Sequence, residues 1–259
     1  MSRALVTGAA KRLGRAMALT LAEDGHDVAV HYNGSAEAAE EVVAEIRAMG
    51  RQAVALQANM TQEAEVAPLI DRAAEALGGP LTCLVNNASV FDYDNIETAD
   101  RAGWDRHMEV NLRAPFLLTQ LFAEQAPAAA TDDHGEPVAQ ALVIQMLDQR
   151  VHKLTPEFMS YTISKMGLWA FTQTAARALA PAVRVNAIGP GPTLRGARQS
   201  QAHFDSQRQN TVLERGSDPE DICGALRYFL GAKGVTGQLI CTDGGQHLAW
   251  QTPDVQGVE

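Results

Sequence analysis

Apolar positions in this chain alternate between two rhythms. Short apolar runs bounded by glycine, proline or asparagine recur at residues 4–6, Asp27–Tyr32, 52–57, 81–85, Ala141–Met146, 184–188 and 238–241. Runs of that length with such boundaries read as buried strands. Between them the spacing turns helical. Leu13, Met17 and Leu21 share one face, and similar patterns cover 36–49, closed by Gly50, and 63–77, stopped by Gly78-Gly79-Pro80. Further helices are predicted over 104–125 and 160–179, and from a capping box at Ser217-Asp218-Pro219-Glu220 to Leu230. Strands alternating with helices at this spacing predict an α/β fold, a parallel sheet with helices on both faces. No repeat or linker interrupts residues 1–259, so one domain is expected. Residues 127–140 read as a polar surface loop, and the mostly polar stretch 193–212 as a flap over the substrate.

Ligands of such sheets bind beyond the carboxyl ends of the strands. Several unusual stretches fall there: Thr7 to Gly14, Asn33-Gly34-Ser35, Asn59-Met60, Asn87 to Phe91, and Asp148 just past the fifth strand. The first is Thr-Gly-Ala-Ala-Lys-Arg-Leu-Gly, a strand-to-helix turn with two glycines. It is not GxGxxG. Backbone N–H groups at the start of the following helix could still face a pyrophosphate. In NAD-binding folds an acid commonly ends the second strand and holds the ribose 2′-OH. Here no acid occurs before Glu37, and Lys11 and Arg12 stand nearby, which favours a 2′-phosphate. An ordinary turn with Arg12 covering a surface is the alternative.

Composition narrows the rest. The 259 residues carry a formal net charge of -10 and no basic run, a poor match for nucleic acid or an anionic membrane surface. No apolar run approaches the roughly 18 residues of a membrane span. The first residues read as a strand, so no signal peptide is expected. Cys83, Cys223 and Cys241 are widely spaced with no CxxC, so neither a zinc site nor a disulfide framework is expected. A reducing cytoplasm fits.

The candidate chemistry lies on the 160–179 helix. Tyr161 and Lys165 are four apart and project from one helical face. A tyrosine has an ordinary pKa near 10, and a neighbouring ammonium is expected to lower it, making the phenol a general acid. Asn111, a poor interior helix residue, either bends its helix or has a role of its own. Asp148 can donate a hydrogen bond only when protonated. Burial would favour that form, Lys165 would oppose it, and Asp148 and Tyr161 would titrate as a coupled pair.

Jointly, Thr7 to Gly14, Asn86-Asn87-Ala88, Asn111, Tyr161-x-x-x-Lys165, Pro190-Gly191 and Asp243-Gly244-Gly245 resemble the short-chain dehydrogenase/reductase family in order and spacing. Within it the chain is most similar to pteridine and dihydromonapterin reductases. The carriers are Arg12 in the first turn, His31-Tyr32, Asn87-Ala88-Ser89-Val90-Phe91, Asp148 in place of a serine, and Gly244-Gly245-Gln246-His247-Leu248. The resemblance implies a Rossmann-type, doubly wound, seven-stranded parallel sheet in three layers, hydride transfer with NADP(H), and a homotetramer. It implies a cofactor held by Gly8, Arg12, Leu13 and Gly14, then by His31, Asn33 and Ser35 after the second strand. Asn59 and Met60 would follow after the third, Asn87, Ala88 and Ser89 after the fourth, and Pro190, Gly191 and Thr193 after the sixth, with Tyr161 and Lys165 from the helix. A pterin would lie against Ser89, Phe91, Asp148 and Tyr161, with Phe91 stacked on it. Asn111, Asp148, Tyr161 and Lys165 would form the catalytic group, Asn111 holding a water relay behind Lys165. Gly34 and Asn59 depart from relatives that carry a basic residue and an Asp there, and residues 151–156 match no pteridine enzyme closely. A carbonyl or alcohol substrate therefore stays open, as does a non-catalytic dinucleotide sensor.

Overall fold

Leu5 on the first strand, β1 (Arg3–Val6), shows why the sheet forms. It pairs with Ala29 of β2 (Asp27–Tyr32) on one side and with Leu84 of β4 (Cys83–Asn86) on the other, both in parallel. A strand buried on both faces needs a continuous apolar run rather than alternation, and β1 supplies one. The computed structural model describes residues 2–196 and 199–250. Residues 1 and 251–259 of the expected domain, and 197–198 of the expected flap, lie outside the described residues.

The sheet has seven parallel strands in the order β3-β2-β1-β4-β7-β8-β9. Its other members are β3 (Ala53–Gln57), β7 (Ala141–Met146), β8 (Val183–Pro190) and β9 (Leu239–Thr242). Alternate strand residues feed two cores. Ala4, Val6, Val28, Val30 and Ile144 face Met17 and Leu21 of α1 (Arg12–Glu23), Val42 and Ile46 of α2 (Ala36–Ala48), and Phe229 of a helix near the C-terminus. Leu5, Ala29, Leu84 and Val143 face Leu69, Ile70, Leu118 and Phe122 on the opposite side. Phe122 and Phe229 are fully buried. Truncating either to alanine costs about 3–5 kcal/mol. The strand order reverses at β1, which opens a crevice beyond the ends of β1 and β4.

Several boundaries differ from expectation. The helix read over 63–77 is two, α3 (Glu63–Val66) and α4 (Leu69–Ala76), because Pro68 lacks an N–H and its ring clashes with the carbonyl four residues back. The helix read from 104 starts at Arg101, where Asp100 caps it by accepting from Gly103 N at 2.7 Å. It runs as α5 (Arg101–Met108), a π-helical turn (Glu109–Arg113) and α6 (Ala114–Gln125). The loop read over 127–140 contains a short antiparallel ribbon, β5 (Ala130–Thr131) with β6 (Pro137–Val138). Asp132 Oδ1 accepts from His134 N and Glu136 N and folds the connection, and two-residue strands are too short to show alternation. Next come α7 (Met159–Ala178), α8 (Gln201–Gln209) inside the expected flap, and α9 (Pro219–Gly231). The capping box of α9 is Asp218 with Asp221, not Ser217 with Glu220, since Pro219 takes the first helical position. Ser217 instead shares a 2.7 Å hydrogen bond with Thr193. Among the described residues no helix is long and apolar enough to cross a membrane.

Candidate active site

The turn after β1 is built on two glycines. Gly8 has φ +64°, the left-handed region that glycine enters freely. A Cβ on Gly14 would lie 2.2 Å from the Gly8 carbonyl oxygen, so α1 can fold against the turn only without one. Thr7 Oγ1 accepts from the N–H groups of Asn87 and Ala88, each at 2.9 Å, and Asn87 Nδ2 donates to Thr7 O at 2.8 Å. The ends of β1 and β4 are thereby stitched together. Lys11 stands at the N-cap of α1 with no side-chain cap, which leaves first-turn N–H groups to an outside acceptor.

His31 and Arg12 do something other than expected. Gly8 N donates to His31 Nδ1 at 2.9 Å, so Nε2 carries the proton and donates to Ala58 O at 3.0 Å. The ring lines the crevice, but both nitrogens tie the glycine turn to the end of β3. Burial pushes its pKa down to about 4, leaving it neutral. Arg12 has φ +55°, and its guanidinium donates to Leu194 O at 2.9 Å and Arg195 O at 3.0 Å. A left-handed non-glycine residue costs on the order of 1–3 kcal/mol. In this structure Arg12 therefore ties the glycine turn to the segment after β8 rather than standing free at a phosphate. Asn59 Oδ1 is likewise committed, accepting from Thr61 N and Thr61 Oγ1 at 3.1 and 3.0 Å.

On α7, Tyr161 and Lys165 are both buried and face the end of β7. Tyr161 Oη donates to Asp148 Oδ2 at 3.0 Å, while Asp148 Oδ1 accepts from Arg150 N at 2.8 Å. Lys165 Nζ donates to Met146 O at 2.8 Å and lies 5.6 Å from the centre of the Tyr161 ring. Burial raises the Asp148 pKa against the opposing pulls of Arg150, Tyr161 and Lys165. Burial also lowers Lys165 to about 8. Tyr161 is pushed well above 10, first by burial and then by the charge and hydrogen bond of Asp148. This corrects the expectation that Lys165 draws the phenol down. Tyr161 is held protonated, with a proton to give.

The loop after β4 is pinned at several points. Asn111, inside the π-helical turn, accepts at Oδ1 from Ser89 Oγ and Val90 N at 3.0 and 2.9 Å. Its Nδ2 donates to Val90 O and Ser164 Oγ at 3.0 and 3.1 Å. An amide side chain has these two donors and two lone pairs, so none is left for a water. The side chain instead joins the loop after β4, the π-helical turn and α7. His107, also buried, accepts from Asp92 N at Nε2. Phe91 is 43% exposed and meets Tyr161 edge-on, with centroids 4.6 Å apart.

These elements enclose one cleft of about 780 Å³ at the carboxyl end of the sheet. The family model for enoyl-(acyl carrier protein) reductase matches residues 8–247. A short-chain dehydrogenase/reductase of Hericium erinaceus is 34% identical over 253 residues, covering 94% of this chain and 96% of the relative. The chain belongs to the short-chain dehydrogenase/reductase family. The 3-oxoacyl-[acyl-carrier-protein] reductase FabG of Staphylococcus epidermidis is 31% identical over 250 residues, covering 95% of this chain and 98% of the relative. Among solved structures, the FolM alternative dihydrofolate reductase 1 of Brucella canis, complexed with NADP, superposes with a TM-score of 0.90 at 41% identity. It covers 98% of this chain and 97% of its own.

In this short-chain dehydrogenase/reductase the cleft is lined by Gly8, Arg12, Leu13 and Gly14 from the first turn and by His31 and Asn33 from β2 onward. Asn59 and Met60, then Asn87, Ala88, Ser89 and Phe91, line it further along. Asp148, Tyr161, Lys165, Pro190, Gly191 and Thr193 complete the expected set. Two expected residues stand outside the lining. Ser35 is at the N-cap of α2, and Asn111 sits behind Ser89 and Val90. Arg106, paired with Asp92, lines the cleft and was not anticipated, because nothing in a charged helix marks which face meets a crevice. Met146, Leu147, Val110 and Leu194 were missed as apolar walls, because an apolar side chain facing a crevice looks in sequence like one facing the core.

Proposed function

We propose that this protein uses NADPH to reduce a dihydropterin to its tetrahydro form. The observation that carries this reading is the Asp148–Tyr161 hydrogen bond of 3.0 Å, facing the same cleft as the aromatic ring of Phe91. A carboxyl group suits a ring nitrogen or an amino group beside it, and an aromatic side chain suits a flat, electron-poor ring. The Brucella canis FolM structure, 41% identical, supports it.

The residues present fit a dinucleotide. The turn closes only because Gly14 lacks a Cβ, α1 opens without a side-chain cap, and no acid stands at 33–35. Gly8 to Gly14, Asn33 and Asn59 would hold its adenosine and phosphate portions, and Asn87, Lys165 and Pro190 the nicotinamide end. When bound, NADPH supplies a hydride for the substrate carbon of a C=N bond. The chain supplies the rest. Phe91 orients the ring. Tyr161 gives its proton to the ring nitrogen, so C=N becomes CH–NH. Asp148 accepts from the phenol and holds it toward the substrate. Lys165 places a cation under the Tyr161 ring and keeps the site from accumulating negative charge.

Steady-state kinetics with NADPH against dihydropterins, dihydrofolate, 3-oxoacyl thioesters and simple ketones test the proposal. Efficient turnover of ketones or thioesters with every dihydropterin ignored sinks it. FabG at 31% identity over 95% of the chain favours that second reading, carbonyl reduction. Asp148 argues against it, since a hydroxyl in its place serves a ketone oxygen better. A homotetramer, which light scattering tests, would cover the exposed apolar side chains Phe116, Ile163 and Met166 of α6 and α7.

A further inference from the structure

Phe158 occupies a backbone conformation that a bulky side chain rarely takes. Its φ is +55° and ψ 47°, immediately before α7. Such a residue persists only where its surroundings over-determine it. They do so here. Phe158 N donates to Asp94 O at 2.7 Å, Phe158 O accepts from Thr162 N at 2.8 Å, and Ser160 N donates to the buried Asp94 carboxylate. Glycine would meet that backbone requirement without strain. What phenylalanine adds is a ring, and the ring has a definite place. It lies parallel to Phe91, with centroids 4.3 Å apart and planes 8° from each other. Tyr93 meets it edge-on at 5.2 Å, and the Arg150 guanidinium lies 5.0 Å from its centre.

We propose that Phe158 is a positioning residue that backs Phe91 and fixes the platform on which the substrate ring stacks. This rests on the dihydropterin reading. Phe91 lines the cleft, whereas Phe158 is not part of its lining, so Phe158 acts through Phe91. Phe91 is borne on a loop and is 43% exposed, and the parallel ring of Phe158 limits the rotamers it can take. Holding it parallel to Phe158 narrows its orientation before the substrate arrives, and pre-organisation is gained as affinity. Phe158 also lies three residues before Tyr161, so the ring that backs the platform and the proton donor share one backbone segment.

The test is a set of variants assayed for dihydropterin reduction. Phe158→Gly keeps the left-handed backbone and deletes the ring, Phe158→Asn tolerates the same φ with a small side chain, and Phe158→Tyr retains the ring. For the first two, KM for the dihydropterin should rise about 2- to 10-fold with kcat nearly unchanged, the size of one aromatic pair converted to affinity. NADPH affinity should stay the same, which also reports correct folding, and Phe158→Tyr should restore KM. In a Phe91→Ala background Phe158→Gly should add nothing, because its effect passes through Phe91. An unchanged KM in both Phe158→Gly and Phe158→Asn overturns the platform, as does an equal rise in the Phe91→Ala background. If the unmutated protein reduces no dihydropterin, the substrate reading falls and the platform with it. If it reduces dihydropterins and the variants match it, only the platform falls.

Discussion

Lowering the pH should loosen this protein through His31, and the size of the effect follows from the geometry. In the fold His31 is neutral, with Nδ1 accepting from Gly8 N and Nε2 donating to Ala58 O. Burial holds its pKa at about 4 against an ordinary 6.5. The unfolded chain takes up the proton near 6.5, whereas the folded chain resists until about 4. Between these values the unfolded state binds more protons, so stability falls as pH falls through the window. Above it His31 contributes no pH dependence, and below it no further loss. At about 1.36 kcal/mol per pH unit, the gap amounts to roughly 3 kcal/mol at pH 4. That is a large part of the 5–15 kcal/mol by which domains are ordinarily stable.

Other buried groups titrate in the same range. His26 and His107 are also lowered by burial and add losses of the same sign, so the total does not isolate His31. His31→Gln does. A glutamine amide can accept from Gly8 N and donate to Ala58 O but takes no proton. Urea unfolding followed by tryptophan fluorescence, at about pH 7, 6, 5 and 4 and one fixed protein concentration, gives both stability curves. The unmutated protein should lose roughly 3 kcal/mol more than His31→Gln over that range. Parallel loss in the two proteins would refute the assignment of His31 as a neutral strut. Because the proton displaces the Gly8 hydrogen bond, NADPH affinity should weaken in the same window, and less so in His31→Gln.

Tyr161→Phe should lower the rate of hydride transfer on the order of 10²–10⁴-fold in single-turnover kinetics, with NADPH binding little changed. Asp148→Asn removes the charge that helps raise Tyr161, so the Tyr161 phenol should ionise at lower pH. Ultraviolet titration of tyrosinate, read as the difference from Tyr161→Phe, follows that shift, and a shift upward would be the wrong sign. Arg12→Ala should narrow the preference for NADPH over NADH, expected at roughly 1–3 kcal/mol from a charged hydrogen bond. Because Arg12 also holds Leu194 and Arg195, the variant should raise protease cleavage after β8, measured without cofactor. Phe91→Ala should raise the KM for a dihydropterin more than it lowers kcat, since stacking holds ground and transition states alike.

The sheet was legible because its central strands are buried on both faces and so appear as unbroken apolar runs. Ends and breaks were less so. Pro68 splits a helix whose apolar spacing runs on regardless, and the 130–138 ribbon is too short to carry a period. At the site, residue types at strand ends were readable, but not where each spends its hydrogen bonds. Arg12 finds its carbonyls 182 and 183 residues away, and Asn111 reaches Ser164 across 53. Such partners are set by the fold, not by neighbours in sequence. Phe158 left one faint signal: the position before α7 is none of the usual capping residues.

In the proposed reaction, proton counting gives Asp148 a part in the chemistry. If Tyr161 gives up its proton while Asp148 is ionised, a phenolate is left 3.0 Å from a carboxylate. Two anions that close inside a buried site do not coexist cheaply. Lys165 carries a single positive charge, with its pKa brought to about 8 by burial, and so can offset only one of them. Asp148, raised by burial, would share in the proton that the pair takes up as the phenol gives its own away. The two groups lose that proton jointly, with apparent pKa values that belong to the pair. Turnover is then present at pH below the pair's first apparent pKa and lost above it. A serine at position 148 offers no such second proton in this range.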